Sequence, residues 1–206
     1  MKASLTIVFI NRLKDGLMIP IRELTDEQQD LMLDLDLALD KKFGRENPYS
    51  NCAICGGYMQ ANRPAEDVDI FLHLPDNYNN ESLTEVYKAL GFNIVEECVY
   101  HEYGGILMVR VTHEVFDNLP IQILGRATII IDQIEEEFPL SIQQVAWLPN
   151  DGGVYTSSSY EENTPKKVIV VHHKAEKFID KYMKYYPNWI FDYSSIKLPA
   201  LSELDL

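Results

Sequence analysis

The segment over residues 51–72, NCAICGGYMQANRPAEDVDIFL, constrains this chain of 206 residues more than any other stretch. A short apolar run ends at the pair Gly56 and Gly57, which predicts a buried strand followed by a turn. A short helix over residues 58–62 is expected next, stopped before a proline. A second apolar strand then follows, and it opens with an Asp-x-Asp motif.

Asp67 and Asp69 are two positions apart, so on a strand their side chains point to the same face. Two carboxylates held this close repel each other unless a cation lies between them, and Mg²⁺ is the cation that oxygen ligands and phosphates favour. Gly56 and Gly57 would offer backbone N–H groups to phosphate oxygens. The alternative is that Asp-x-Asp is only a solvated strand end and Gly-Gly only a turn. The combination in one unit favours a phosphate and metal site.

Helix and strand patterns elsewhere predict an α/β (α+β) fold: a single mixed sheet with flanking helices and a C-terminal helix. Residues 1–50 are expected to form an N-terminal hairpin and a helix, packed on a core domain over residues 51–206 as one compact unit. Predicted helices cover residues 25–43, where a capping box from Thr25 to Gln28 opens the helix, 82–90 and 175–185. The chain after Trp189 is expected to be a peripheral tail. Predicted strands cover residues 4–12, 17–21, 51–54, 68–74, 92–99, 106–112, 119–124, 141–147 and 154–156.

The net charge of −14, from 32 acidic and 18 basic residues, restricts the partners. Proteins that bind nucleic-acid backbones usually carry a basic stripe, and none is present, so extended nucleic-acid binding is disfavoured. Acidity also simply favours solubility. No apolar run approaches the roughly 18 residues of a membrane span, so no membrane association is expected. Three cysteines, an odd number, argue against a disulfide framework, and we expect a cytoplasmic protein.

The stretch CGGYMQANRPAEDVDIF resembles the signature of the polymerase-β-like nucleotidyltransferase superfamily, in which Gly-Gly or Gly-Ser opens a helix and Asp-x-Asp follows on the next strand. The pattern Arg-Pro-x-x-Asp-x-Asp, from Arg63 to Asp69, is similar to the motif of the tRNA nucleotidyltransferase and poly(A) polymerase branch. The later layout resembles small nucleotidyltransferase-like proteins of bacteriophages, including a Tyr-Pro-x-Trp-like element after the C-terminal helix. The resemblance is specific over about twenty residues.

This resemblance implies an Mg²⁺-dependent transfer of a nucleotidyl group from a nucleoside triphosphate to an acceptor that the sequence does not specify. Asp67 and Asp69 would be the catalytic and metal-binding residues, and Gly56 and Gly57 would cradle the phosphates. The superfamily usually adds a third carboxylate on a neighbouring strand, where this chain has Gln122. The alternative is therefore a catalytically degenerate protein of this fold that binds a nucleotide or a host protein, in the host cytoplasm if the chain is phage-encoded.

Other residues give weaker signals. His73 lies on the predicted carboxylate face and could orient a phosphate or ribose, although a histidine at a strand end usually has only a local hydrogen-bond partner. Cys52 and Cys55 have metal or redox spacing, yet a strand would point them to opposite faces, which favours packing. The aspartates of the first helix predict a solvated face, and several tyrosines could stack a base or pack in the core. The first group comprises Asp34, Asp36 and Asp40, and the second comprises Tyr155, Tyr160, Tyr182 and Tyr185.

Overall fold

The computed structural model describes residues 21–44, 50–75, 78, 80–100, 106–150, 152–172 and 175–196, and for residues 97–100, 106–107, 137 and 176–177 it describes the backbone alone. The strand predicted over residues 4–12 and all but Ile21 of the strand predicted over residues 17–21, and hence the N-terminal hairpin, lie outside this part. No helix in the described part is long and apolar enough to cross a membrane.

A seven-stranded mixed sheet forms the centre of the described chain, with the strand order β3-β4-β5-β2-β1-β6-β7. Its central strands β2 and β5 pair in parallel, and the other neighbouring strands are antiparallel. The sheet strands are β1 Cys52–Cys55, β2 Val68–His73, β3 Asn93–Tyr100, β4 Ile106–Thr112, β5 Ile121–Arg126, β6 Val145–Leu148 and β7 Gly153–Thr156. A separate parallel pair consists of β8 Val168–Val170 and β9 Ile190–Asp192. The expected mixed α/β fold with one large sheet is confirmed.

Five α-helices flank the strands in the described residues: α1 Asp26–Phe43, α2 Asn80–Ala89, α3 Ile130–Glu137, α4 Ser158–Asn163 and α5 Glu176–Tyr185. Helix α1 begins at the predicted capping box, in which Thr25 and Gln28 satisfy each other's backbone N–H groups, and it ends at Gly44. Short 3₁₀ helices occupy Gly56–Met59, Glu114–Phe116, Ser141–Gln143 and Thr164–Lys166.

The prediction of a solvated aspartate face on α1 is wrong for Asp36. This residue is 1% exposed, and its carboxylate accepts the backbone N–H of Asn51 at the start of β1. A buried carboxylate needs such a donor, since burial without one costs several kcal/mol. Asp36 therefore fixes α1 to the first strand of the sheet.

The sheet separates two apolar clusters, and alternate residues of β2 enter them in turn. Val68 and Ile70 are fully buried in the larger cluster, together with the apolar side of α1. Phe71 enters the smaller cluster on the other face, where its ring stacks on that of Phe138 at 5.2 Å. Because side chains alternate along a strand, Asp69 shares the face of Phe71.

Two predicted elements differ from the structure. The strand expected over residues 141–147 begins only at Val145, because Ser141 opens a 3₁₀ turn and its hydroxyl accepts the backbone N–H of Val170. The chain after Trp189 is expected to be a peripheral tail, and its first residues, Ile190–Asp192, form β9, which pairs with β8. Helix α4, which follows β7, is a further element that the pattern did not predict.

Candidate functional site

The Gly-Gly turn forms at the end of β1, as predicted, but the helix after it is different. The expected helix over residues 58–62 is wrong: a single 3₁₀ turn, Gly56–Met59, begins at the first glycine. Gln60 then leaves the helical path and forms a β-bridge with Ile21. The extended conformation of Gln60, with φ −91° and ψ 107°, ends the turn.

Gly56 is required by its surroundings. Its φ of +68° lies in the left-handed region that favours glycine. A Cβ atom at this position would lie 2.6 Å from the ring of Phe138 and 3.1 Å from Oδ2 of Asp69. The backbone of the turn therefore lies directly against the second carboxylate of the Asp-x-Asp motif.

Asp69 occupies a central position in the sheet. In the strand pairing it stands opposite Cys55 on β1 and opposite Gln122 on β5. Asp67 precedes β2 by one residue and does not belong to the strand. Its charge nevertheless acts on Asp69, so the two carboxylates are close enough to interact. The structure thus brings together Asp67, Asp69, the glycine turn and Gln122.

The electrostatic environment of Asp69 favours its protonated form. Burial and the neighbouring charge of Asp67 raise the pKa of Asp69 to about 7, against the opposing effect of Arg63 and Lys181. Desolvation and a like charge both disfavour an ionised carboxylate. A cation placed between the two carboxylates would offset both the desolvation of Asp69 and its repulsion by Asp67. Such a carboxylate pair is therefore suited to bind a divalent metal ion.

Gln122 stands where a third carboxylate is expected. Among the described residues no group of three or more His, Cys, Asp or Glu side chains is arranged to hold a metal ion. Two further acids, Glu114 and Asp117, lie between β4 and β5, where Glu114 begins a 3₁₀ turn and Asp117 caps its end. Burial and, to a smaller extent, the charge of Asp117 raise the pKa of Tyr58. The oxygen donors that fit Mg²⁺ are therefore the two carboxylates and the amide oxygen of Gln122.

Arg63 lies in the same stretch as the Asp-x-Asp motif, but the sequence assigned it no function. It is 5% exposed, and its guanidinium lies over the rings of Tyr182 and Tyr185 at 5.4 and 5.5 Å. A Cβ atom on Gly57 would lie 2.7 Å from its Nη2. Nε of Arg63 is buried and has no hydrogen-bond partner in the described structure. The space beside Gly57 that was predicted for a phosphate thus borders an arginine.

Helix α5 supplies the other polar groups around the loop that joins the two motifs. Nζ of Lys181 donates to Oε2 of Glu66 at 2.6 Å, and the hydroxyl of Tyr185 donates to Oε1 of the same residue at 3.3 Å. The hydroxyl of Tyr186 lies 3.0 Å from Oε1 of Gln60. The Tyr-Pro-x-Trp-like element marked this region in the sequence, but no sequence pattern indicated its contacts.

His73 lies apart from the carboxylate pair. It is the last residue of β2, four positions and therefore about 13 Å along the strand from Asp69. Its Nδ1 is 3.0 Å from the carbonyl oxygen of Thr128. The structure thus gives His73 a local partner and does not bring it to the site.

The remaining candidates pack or pair locally. Cys52 and Cys55 are fully buried free cysteines on opposite faces of β1, in separate apolar clusters. Burial raises the pKa of both thiols well above their usual value, which keeps them unreactive. Tyr160 and Tyr182 belong to the larger core, and the hydroxyl of Tyr155 donates to Glu135.

Comparison with known proteins adds no relative. No protein-family model matches the chain, and no curated protein is detectably similar to it in sequence.

Proposed function

We propose that this protein binds a nucleoside triphosphate with Mg²⁺ and transfers its nucleotidyl group to an acceptor, as a member of the polymerase-β-like nucleotidyltransferases. The observation that carries the proposal is the position of Asp69. It lies beside the glycine turn on one side and Gln122 on the other, and it is coupled by charge to Asp67. This arrangement agrees with the resemblance of the motif, in which the same elements hold a nucleotide.

Each group has a definite part in this proposal. Asp67 and Asp69 hold the metal ion, and Gln122, which pairs with Asp69 in the strand register, offers a neutral amide oxygen as a further donor. Gly56 and Gly57 allow the phosphates to approach the backbone at the end of β1. Bound Mg²⁺ would neutralise phosphate charge and orient the triphosphate for in-line attack.

A direct experiment compares the wild type with Asp67→Asn and Asp69→Asn, which keep side-chain size but remove charge. Asp34→Asn, at an exposed position on α1, is the control with the same change in net charge. Binding of the four nucleoside triphosphates is measured with and without Mg²⁺, and release of pyrophosphate is followed with cellular RNA and protein fractions as acceptors. We expect Mg²⁺-dependent binding in the wild type and in the control only. Equal binding by all four proteins contradicts the proposal.

A second candidate function is a nucleotidyltransferase fold without catalysis that binds a nucleotide or, through its own acidic surface, a host protein. Gln122 favours it, because an amide does not offset the charge of a second metal ion. The net charge of −14 adds a surface suited to a basic host protein. Nucleotide binding without pyrophosphate release from any acceptor fraction supports this candidate. If the wild type and the double variant Asp67→Asn/Asp69→Asn capture the same basic protein, that protein contacts a surface other than the Asp-x-Asp motif.

A further inference from the structure

Glu66 makes contacts of the kind that a phosphate group makes. Its two carboxylate oxygens accept from Nζ of Lys181 at 2.6 Å and from the hydroxyl of Tyr185 at 3.3 Å. Hydrogen bonding to Lys181 is the main cause that lowers the pKa of Glu66, with a smaller effect from the charge of Arg63. An ammonium, a hydroxyl and a guanidinium are the donors that proteins use for phosphates.

The same cations also act on the carboxylate pair. The charges of Arg63 and Lys181 both lower the pKa of Asp69, so each lies within electrostatic reach of Glu66 and of Asp69. Arg63 borders the backbone of Gly57 as well. The cations therefore lie between the glycine turn, the Asp-x-Asp motif and helix α5, next to the place where the proposed nucleotide would carry its phosphates.

Arg63 retains a hydrogen-bond donor for a ligand. A buried N–H group without an acceptor is uncommon in folded proteins and costs free energy, so an unpaired one calls for an explanation. Nε of Arg63 is such a group in the described structure, although its guanidinium is held over Tyr182 and Tyr185. A phosphate oxygen that entered here would satisfy this donor. Glu66, in contrast, is a half-exposed residue whose carboxylate can move into water.

We infer that Arg63, Lys181 and Tyr185 form a binding site for a substrate phosphate group, and that Glu66 occupies this site until the phosphate displaces it. The inference rests on the proposed function, since it assigns the substrate's phosphates a place. It adds an internal competitor: in the free protein the carboxylate of Glu66 pairs with Lys181 and lies within electrostatic reach of Arg63, and it leaves when a more highly charged anion binds.

The test uses inorganic triphosphate as the probe, in EDTA, with binding measured by isothermal titration calorimetry on the full chain. Glu66→Gln removes the competing charge and keeps the side-chain size. We expect this variant to bind triphosphate about tenfold more tightly than the wild type, because like-charge repulsion at the site is removed. Lys181→Gln is expected to lose binding in the wild-type background and in the Glu66→Gln background.

Glu85→Gln is the matched control, since Glu85 forms an exposed ion pair of 3.0 Å with Lys42 on other helices. It changes the net charge equally and should leave triphosphate affinity unchanged. The inference is overturned if Glu66→Gln binds no better than the wild type, or if Glu85→Gln gains as much. Thermal unfolding of each variant establishes that it is folded. The probe has no base and needs no Mg²⁺, so failure of nucleotidyl transfer and failure of this site give different results.

Discussion

A Cβ atom on Gly57 would lie 2.7 Å from Nη2 of Arg63, so the second glycine of the turn and the arginine that follows it are in direct contact. The two residues are six positions apart, and the 3₁₀ turn Gly56–Met59 with its extended exit brings the chain back on itself. The second glycine of the turn therefore leaves room for the guanidinium of Arg63.

The two glycines should respond differently to alanine. For Gly56→Ala we expect a loss of about 2–4 kcal/mol in the free energy of unfolding, because φ is +68° and the methyl group would overlap the ring of Phe138. For Gly57→Ala we expect about 1 kcal/mol, since the guanidinium end of Arg63 can shift. Urea unfolding measures both, and a larger loss for Gly57→Ala contradicts the geometry.

Asp69 should make stability depend on pH. The pKa of Asp69 is raised to about 7 in the folded protein, mainly by burial, whereas an unfolded aspartate titrates near 3.9. The folded state therefore binds more protons between these values, and the free energy of unfolding falls as the pH rises from about 4 through 7. Urea unfolding at pH 5 and pH 8 should show this loss in the wild type and in Asp34→Asn. Asp69→Asn should show less of it, and an equal loss in all three proteins excludes Asp69 as the cause.

Gln122→Glu should strengthen metal binding. The substitution places a third carboxylate on β5, in the position paired with Asp69. Three like charges repel in the free protein, so we expect a lower free energy of unfolding without metal and a higher affinity for Mg²⁺ or Mn²⁺. Calorimetric titration with Mn²⁺ checks the affinity. Gln29→Glu, on α1, is the control with the same chemical change, and an equal gain in that variant would argue against a site at Gln122.

Tyr186→Phe should loosen the loop between the two motifs. Its hydroxyl lies 3.0 Å from Oε1 of Gln60 and 3.1 Å from Oδ1 of Asn62, and Gln60 is 1% exposed. Loss of this donor leaves a buried amide oxygen unsatisfied, at a cost of about 1–2 kcal/mol. Hydrogen exchange of residues 60–66 should accelerate in this variant. The exposed Tyr193 provides the control Tyr193→Phe, which should leave exchange unchanged.

Local patterns predicted much of the fold. The capping box at Thr25 and Gln28 located the start of α1 because its hydrogen bonds are made within one turn. The apolar run at the Asp-x-Asp motif predicted β2, although Asp67 lies one residue outside the strand. The position of Gln122 beside Asp69 also agrees with the structure, although that expectation came from the resemblance to a family.

Contacts between distant residues could not be predicted. The polar contacts of Glu66 are made with Lys181 and Tyr185, which lie more than a hundred positions later in the sequence. The prediction of a short helix after the glycines was wrong for a similar reason. Arg63 packs over the tyrosines of α5, and Gln60 bridges to Ile21, so tertiary contacts override the local preference.

The distance in sequence between the loop and α5 also has a consequence for the making of the protein. Lys181 and Tyr186 lie 115 and 126 positions after their partners Glu66 and Gln60. A ribosome at ordinary speed needs about ten seconds to add that many residues. The nascent chain thus carries Asp67 and Asp69 well before α5 exists to position the arginine and the glutamate beside them. The contacts of Glu66 with Lys181 therefore form only after α5 has been synthesised, long after the Asp-x-Asp motif.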